Sequence, residues 1–196
     1  MKSLVYGVGI NDFKLKTANG VKSKDLYACH FYRTWSNMIR RCYSENFHKI
    51  KPSYKECTVC DEWLLFSSFK KWMSSQDWTG KQLDKDIINA GNKIYSKDNC
   101  MFVSREINSL LVDHKNRRGK YSKGVSLCIH SGSFRATCGV YGKVTHVGYF
   151  KEERDAKKAY NEFKSLHVRR IAKENIANDQ LYSALIRRAD LILKGE

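Results

Sequence analysis

The sequence predicts an α+β protein built of two small modules, and three observations carry that expectation. Between residues 124 and 163, three short runs of alternating character are broken by Gly-containing turns, and a helical pattern follows at once. Between residues 82 and 111, a strand-like run, a turn-rich loop, a second strand-like run and a helical stretch follow one another. Between these, residues 115–123, KNRRGKYSK, are basic and Gly-containing and read as a linker. The expected organisation is an N-terminal module over 1–114, the linker over 115–123 and a C-terminal module over 124–196.

Taken in order, residues 1–24 alternate apolar and polar side chains around Gly7 and Gly9, the pattern of a strand or hairpin. Asn19-Gly20 marks a turn in a loop at 17–20. Residues 31–43, FYRTWSNMIRRCY, place Phe31, Trp35, Met38, Ile39 and Cys42 at helical spacing, with Arg33, Arg40 and Arg41 mainly opposite. Those arginines are either phosphate contacts or an ordinary solvated face. Residues 44–54 are polar, contain the only proline, Pro52, and read as a loop. Residues 56–63, ECTVCDEW, hold the sole C-x-x-C, and Phe66, Phe69, Trp72 and Met73 continue as an amphipathic helix. A strand is expected over 82–88, a loop over 89–98, a strand over 100–103, and a helix over 105–111 with Ser104 as its cap.

In the C-terminal module the runs are 125–130, 134–141 and 144–150, closed by Ser131-Gly132 and Gly142-Lys143. Period-2 alternation puts Phe134, Ala136 and Cys138 on one face and Arg135 and Thr137 on the other. The following helix carries Ala156, Ala159, Tyr160 and Phe163 as one apolar stripe and runs on through Leu166 and Ile171. The other face of the sheet, with Arg135, Lys143 and His146, is then left for a partner. A last helix is expected at about 179–193, with Leu181, Tyr182, Leu185, Ile186 and Ala189 as its stripe.

Composition narrows the function. No apolar run approaches the length of a membrane span, and the first ten residues lack a signal-peptide pattern, so a cytoplasmic location is expected. Seven Cys in such a chain argue for reduced thiols rather than a disulfide framework. The formal net charge is +16, and residues 115–173 hold 15 Lys/Arg against 4 Asp/Glu, so +11 of it lies there. A basic stretch around a small sheet favours nucleic acid over an anionic membrane surface, since no basic amphipathic anchor stands out.

Two resemblances sharpen this. Gly124-Val125, Gly132, Phe134, Ala136, Val147-Gly148, Phe150 and residues 156–160 resemble the AP2-type DNA-binding domain. The resemblance implies a three-stranded antiparallel sheet that docks in the DNA major groove with a helix behind it. Ser126, Cys128 and His146 stand where plant-type members carry Arg, Arg and Trp. Residues 31–116, with R-C-Y, V-C-D-E-W, L-D-x-D, Y-S-x-x-N-C and a helix carrying Asn, resemble phage-type HNH endonucleases. That implies a ββα, treble-clef-like metal-nuclease frame, and such phage proteins commonly carry an AP2-like segment after it. The order here is the same. Together they imply a phage-encoded protein, acting in the host cytoplasm, that binds double-stranded DNA and nicks or cuts it with Mg²⁺ or Mn²⁺. The alternative is a non-catalytic scaffold that binds DNA or a host protein in host takeover or anti-defence.

By the HNH resemblance Asp84 falls at or beside the general-base position, Asp86 and Asn99 are oxygen ligands for the metal ion, and Asn108 completes the set. No His lies between His48 and His114, so the usual base is missing, and His114 is an outside candidate. Asp86 lies two positions from Asp84, a spacing at which like-charge repulsion raises one of the two pKa values. Cys57 and Cys60, with Cys100 and Cys42, are either a zinc site or buried thiols. The DNA contacts implied by the linker and the sheet are Arg117, Arg118, Lys123, Arg135, Thr137, Lys143 and His146.

Overall fold

The computed structural model describes residues 4–12, 29–111 and 120–195, and the protein is α+β. It divides into two compact units, Met1–Val103 and Ser104–Glu196. The turn expected at 17–20, and most of the expected linker, lie outside the described residues.

The first unit is organised on helix α1, His30–Tyr43, which buries Tyr32, Trp35, Met38, Ile39 and Cys42. The expected stripe is there, except that Tyr32 is inside while Phe31 lies at the margin, edge-on to Trp78. Trp35 anchors the core and donates its indole N–H to the Trp63 carbonyl at 2.7 Å, which leaves no orphan donor in an apolar interior. Gly9 lies against that ring, where a Cβ would come within 3.0 Å of it. Residues 44–54 are not the expected loop. Ser44 caps helix α2, Glu45–Ile50, by accepting from the Phe47 N–H, and a 3-10 turn, Pro52–Tyr54, follows. Neither buries a residue, so neither leaves an apolar period to read.

A two-residue strand β1, Thr58–Val59, precedes helices α3, Asp61–Leu64, and α4, Phe66–Ser74. Strand β2 covers Gln82–Asp84, shorter than the expected 82–88. It pairs antiparallel with β4, Met101–Val103, in the register Gln82 to Val103 and Asp84 to Met101. The loop between them contains β3, Ile94–Tyr95, which pairs in parallel with β1. Nothing in two residues announces a strand, so only the fold reveals this pairing.

The second unit opens with helix α5, Arg105–Leu111, capped as expected by Ser104, whose hydroxyl accepts from the Ile107 N–H. Strands β5, Val125–Cys128, β6, Ser133–Val140, and β7, Lys143–Phe150, form one antiparallel sheet in that order. Helix α6, Glu153–Glu174, packs on it, with Ala136, Cys138, Ala156 and Tyr160 as the buried centre. Helix α7, Asp179–Lys194, is capped by Asn178 and buries Leu181, Ala184, Leu185 and Ala189.

Two glycine-dependent details set the geometry of this sheet. Gly124 has φ +76° and sits on the Tyr160 ring, where a Cβ would come within 2.2 Å. The β6–β7 turn places both Tyr141 and Gly142 at positive φ, 46° and 77°, as a type I′ hairpin requires. Ser122, inside the expected linker, already belongs to this unit: its N–H and hydroxyl both donate to the Glu153 carboxylate at the start of α6.

Candidate nucleic-acid interface

The outer face of the three-stranded sheet, turned away from α6, is set by strand register. Directly opposed residues share a face. Ser126 opposes Arg135, which opposes Tyr149, so these three form one row across the sheet. Thr137 and His146 form the next row, and Gly139 and Val144 the one after. Arg135, His146, Tyr149 and Val144 are exposed, the last two at 57% and 79%. Facing the helix instead are Phe134, Ala136 and Cys138, as the alternation predicts.

A β-bulge decides what this face presents. The register shifts between Ala136 and Thr137, so the β7 strand carries one extra residue at Val147. Val147 and Gly148 fall on the same step, and Val147 packs against the core. Simple alternation from Tyr149 would turn His146 inward. The bulge turns it outward, and the His146 and Tyr149 rings lie 4.7 Å apart at 49°. Lys143 is different: it opposes Val140 at the hairpin end, so alternation assigns it to the helix side of the register, not to the face of Arg135.

No Asp or Glu occurs between residues 120 and 151, while Lys120, Lys123, Arg135, Lys143 and Lys151 all do. The strands and their flanks therefore contribute positive charge and no carboxylate of their own, although Glu174 of α6 accepts from the Tyr141 hydroxyl at the β6–β7 turn. Guanidinium, hydroxyl and imidazole groups in adjacent rows can donate to phosphate oxygens and to base edges. Tyr149 was not among the residues singled out from sequence, and Ser126 was marked only as a departure from the AP2-type pattern. Period 2 counted from Arg135 finds them only once the pairing register is known.

The residues aligned with the HNH motif are held differently. One Asp84 carboxylate oxygen accepts from the Asp86 and Ile87 N–H groups, at 2.8 and 2.7 Å, closing a turn at the end of β2. Burial raises the Asp84 carboxyl above its ordinary value, those two hydrogen bonds oppose the rise, and the Asp86 charge adds to it. Repulsion from Asp86 is thus present but secondary to desolvation. The Asp86 carboxylate takes two bonds of 2.8 Å from the Lys85 ammonium, which is only 6% exposed and also donates to the Asn92 carbonyl at 2.6 Å. Burial alone would lower Lys85, but Asp86 outweighs it and holds the ammonium above its usual value. Asn99 accepts from the Asn89 amide at 3.0 Å, and Asn92 ties its side chain to Lys85 and Ile94. These groups build the loop. Asn108 lies in α5, within the second unit.

The thiols of Cys42, Cys57 and Cys100 are buried in the first core, with Cys60 packed against it. Burial pushes Cys42 up to about 12 and raises Cys57, Cys60 and Cys100 as well. They stand as protonated thiols in an apolar setting. Among the described residues no group of three or more His, Cys, Asp or Glu side chains is placed to hold a metal ion. Arg117, Arg118 and His114 lie outside the described residues, and Lys123 is separated from β5 by Gly124. No helix among the described residues is long and apolar enough to cross a membrane.

Compared with known proteins, the chain matches no family model, no curated protein and no solved structure.

Proposed function

We propose that this protein binds duplex DNA through the outer face of the β5–β6–β7 sheet and does so without cutting it. The observation that carries the reading is a stretch of chain, 120–151, that contains the whole sheet and no Asp or Glu, and whose outward rows present Arg135, Tyr149, Thr137 and His146. Such a surface pairs with polyanions, and an antiparallel sheet fits a major groove about 12 Å wide. Arg135, third residue of the central strand and flanked on both sides in its row, suits base edges, while Lys123 and Lys143 at the margins suit phosphate. Against cleavage stand the commitments of Asp84, Asp86 and Asn99 to the loop that they build. The test is a gel-shift series with random duplex DNA over a range of salt, with Mg²⁺ and Mn²⁺ incubations alongside. Binding that weakens steeply with salt, and DNA that stays intact, supports the reading. Salt-independent association, or none, removes DNA as the partner. Nicked or cut DNA in the metal incubations restores the HNH-type activity.

A further inference from the structure

The first unit carries a cationic surface that the sheet reading does not use. Helix α2 and the 3-10 turn after it span 45–54 without contributing one buried residue. The segment is nonetheless well tied down. Ser44 caps α2, the His48 ring bonds the Arg41 carbonyl at 2.9 Å, and the Cys57 N–H donates to the Tyr54 carbonyl at 2.9 Å. Lys49, Lys51 and Lys55 are exposed along it, and the exposed Arg40 holds its guanidinium 5.1 Å from the Phe47 ring centroid. The one carboxylate of the segment is Glu45, in the first turn of α2; none lies between 46 and 55, and Glu56 after it is drawn to Lys93 at 3.4 Å. Among the described residues none of Arg40, Lys49, Lys51 and Lys55 has a carboxylate partner, and Lys49 has only the Asn46 amide oxygen at 3.4 Å. An ordered segment with unneutralised cations, tied to the core only through the partly buried Tyr54, is pre-organised for a polyanion, because little ordering remains to be done on binding.

We infer that this α2 and 3-10 segment is a second DNA contact, a sequence-independent grip on the phosphate backbone by Lys49, Lys51 and Lys55. It rests on the DNA-binding reading above and adds a separate site on the other unit. Duplex DNA is the favoured polyanion over a lipid surface. The only large apolar side chain that the segment exposes is Ile50, at 75%, and a single isoleucine gives no apolar face to bury in a bilayer. Two contacts joined by one chain reinforce each other through effective concentration, so the weaker one need not bind tightly by itself.

The test uses the full chain with Lys49→Ala, Lys51→Ala and Lys55→Ala combined, and a control with Lys71→Ala and Lys97→Ala, both exposed outside the segment. Circular dichroism confirms that each variant is folded. The expected result is a salt dependence of log K shallower by about 2.7, from roughly 0.9 for each of three phosphates, with sequence preference unchanged and the control near wild type. A triple variant with the wild-type slope overturns this inference and leaves the sheet reading standing. A control that loses as much as the triple variant also overturns it, since bulk charge would then be the cause. Wild-type protein that binds no DNA at low salt removes the sheet reading, and this inference with it. Phosphatidylserine vesicles give the last arm: a triple variant that loses vesicle binding but keeps the wild-type DNA slope assigns the segment to lipid.

Discussion

Arg135 is the third residue of the central strand, on the face away from α6, flanked by Ser126 and Tyr149 in its own row. On the proposed reading its contribution belongs to binding and not to folding. Arg135→Ala is expected to cost on the order of 1–3 kcal/mol of DNA binding and to relax sequence preference, with the melting temperature unchanged. Lys143→Ala, at the strand end on the other side of the register, should weaken all sequences alike and reduce the salt slope by about one. An Arg135 variant with wild-type affinity on every sequence would mean that the reading surface lies elsewhere. Gly124 is the opposite kind of residue. Its positive φ costs a side chain roughly 1–2 kcal/mol, and the Tyr160 ring leaves no room for a Cβ. Gly124→Ala should therefore lower the melting temperature of the second unit by about 10 °C or more, from a total near 2–4 kcal/mol with overpacking included. An unchanged melting curve would show that Tyr160 moves aside freely.

Among the elements, α6 holds the hairpin end of the sheet through an ionisable pair of contacts. The Tyr141 hydroxyl donates to the Glu174 carboxylate, and the Tyr141 ring stands edge-on to His167 at 5.2 Å. His167 is 7% exposed, and burial first, then the nearby Lys164 and Arg170 charges, lower its pKa. A histidine whose folded pKa is lowered takes up its proton more readily when unfolded. Stability from this site is therefore full above the unfolded value of about 6.5 and falls as pH drops below it. His167→Gln should flatten that part of the stability–pH curve, measured by urea denaturation from pH 7.5 to 5. An identical curve in the variant would place the acid sensitivity in other groups. Glu153 works in the opposite direction. The Ser122 hydrogen bonds depress its carboxyl, so its contribution is present above about pH 4.3 and is lost as pH falls through the lower folded value. The loop between β2 and β4 depends on Lys85. Asp86→Ala would leave that nearly buried ammonium without its carboxylate, and a loss of roughly 1–3 kcal/mol is expected by denaturant titration. If Asp86 instead served only a metal ion, Asp86→Ala would leave stability intact.

At the scale of the whole molecule, each unit has a core of its own. All four tryptophans, Trp35, Trp63, Trp72 and Trp78, fall in the first unit. Tryptophan fluorescence therefore reports one unit, whereas circular dichroism reports both. Gly124→Ala should shift part of the dichroism transition and leave the fluorescence midpoint in place. A common shift in both signals would show that the chain unfolds as one cooperative body. The thiols add a second expectation at this scale. With Cys42, Cys57 and Cys100 protonated in the core, chelation should leave the melting temperature unchanged. One equivalent of zinc, with a lower melting temperature after its removal, would instead make them ligands.

The sequence by itself determined the α+β class, the sheet with its helix, and the inward side of β6. Those follow from local rules: Gly at the turns, period 2 in 134–140, and Ala156, Tyr160 and Phe163 at helical spacing. It equally determined the charge of the sheet, since 120–151 contain no carboxylate wherever they fold. Alternation put Arg135 and Thr137 on the outer face, but tertiary structure decided which residues of β5 and β7 stand beside them. The bulge beside Thr137 turns His146 outward next to Tyr149, and one residue of register is enough to reverse a strand's faces. It also decided the fate of Asp84, Asp86 and Asn99. Their spacing suits a metal site as well as it suits a loop, and the choice shows in the Lys85 ammonium on Asp86, the backbone N–H groups on Asp84, and the Asn89 amide that reaches Asn99 across the loop between β2 and β4.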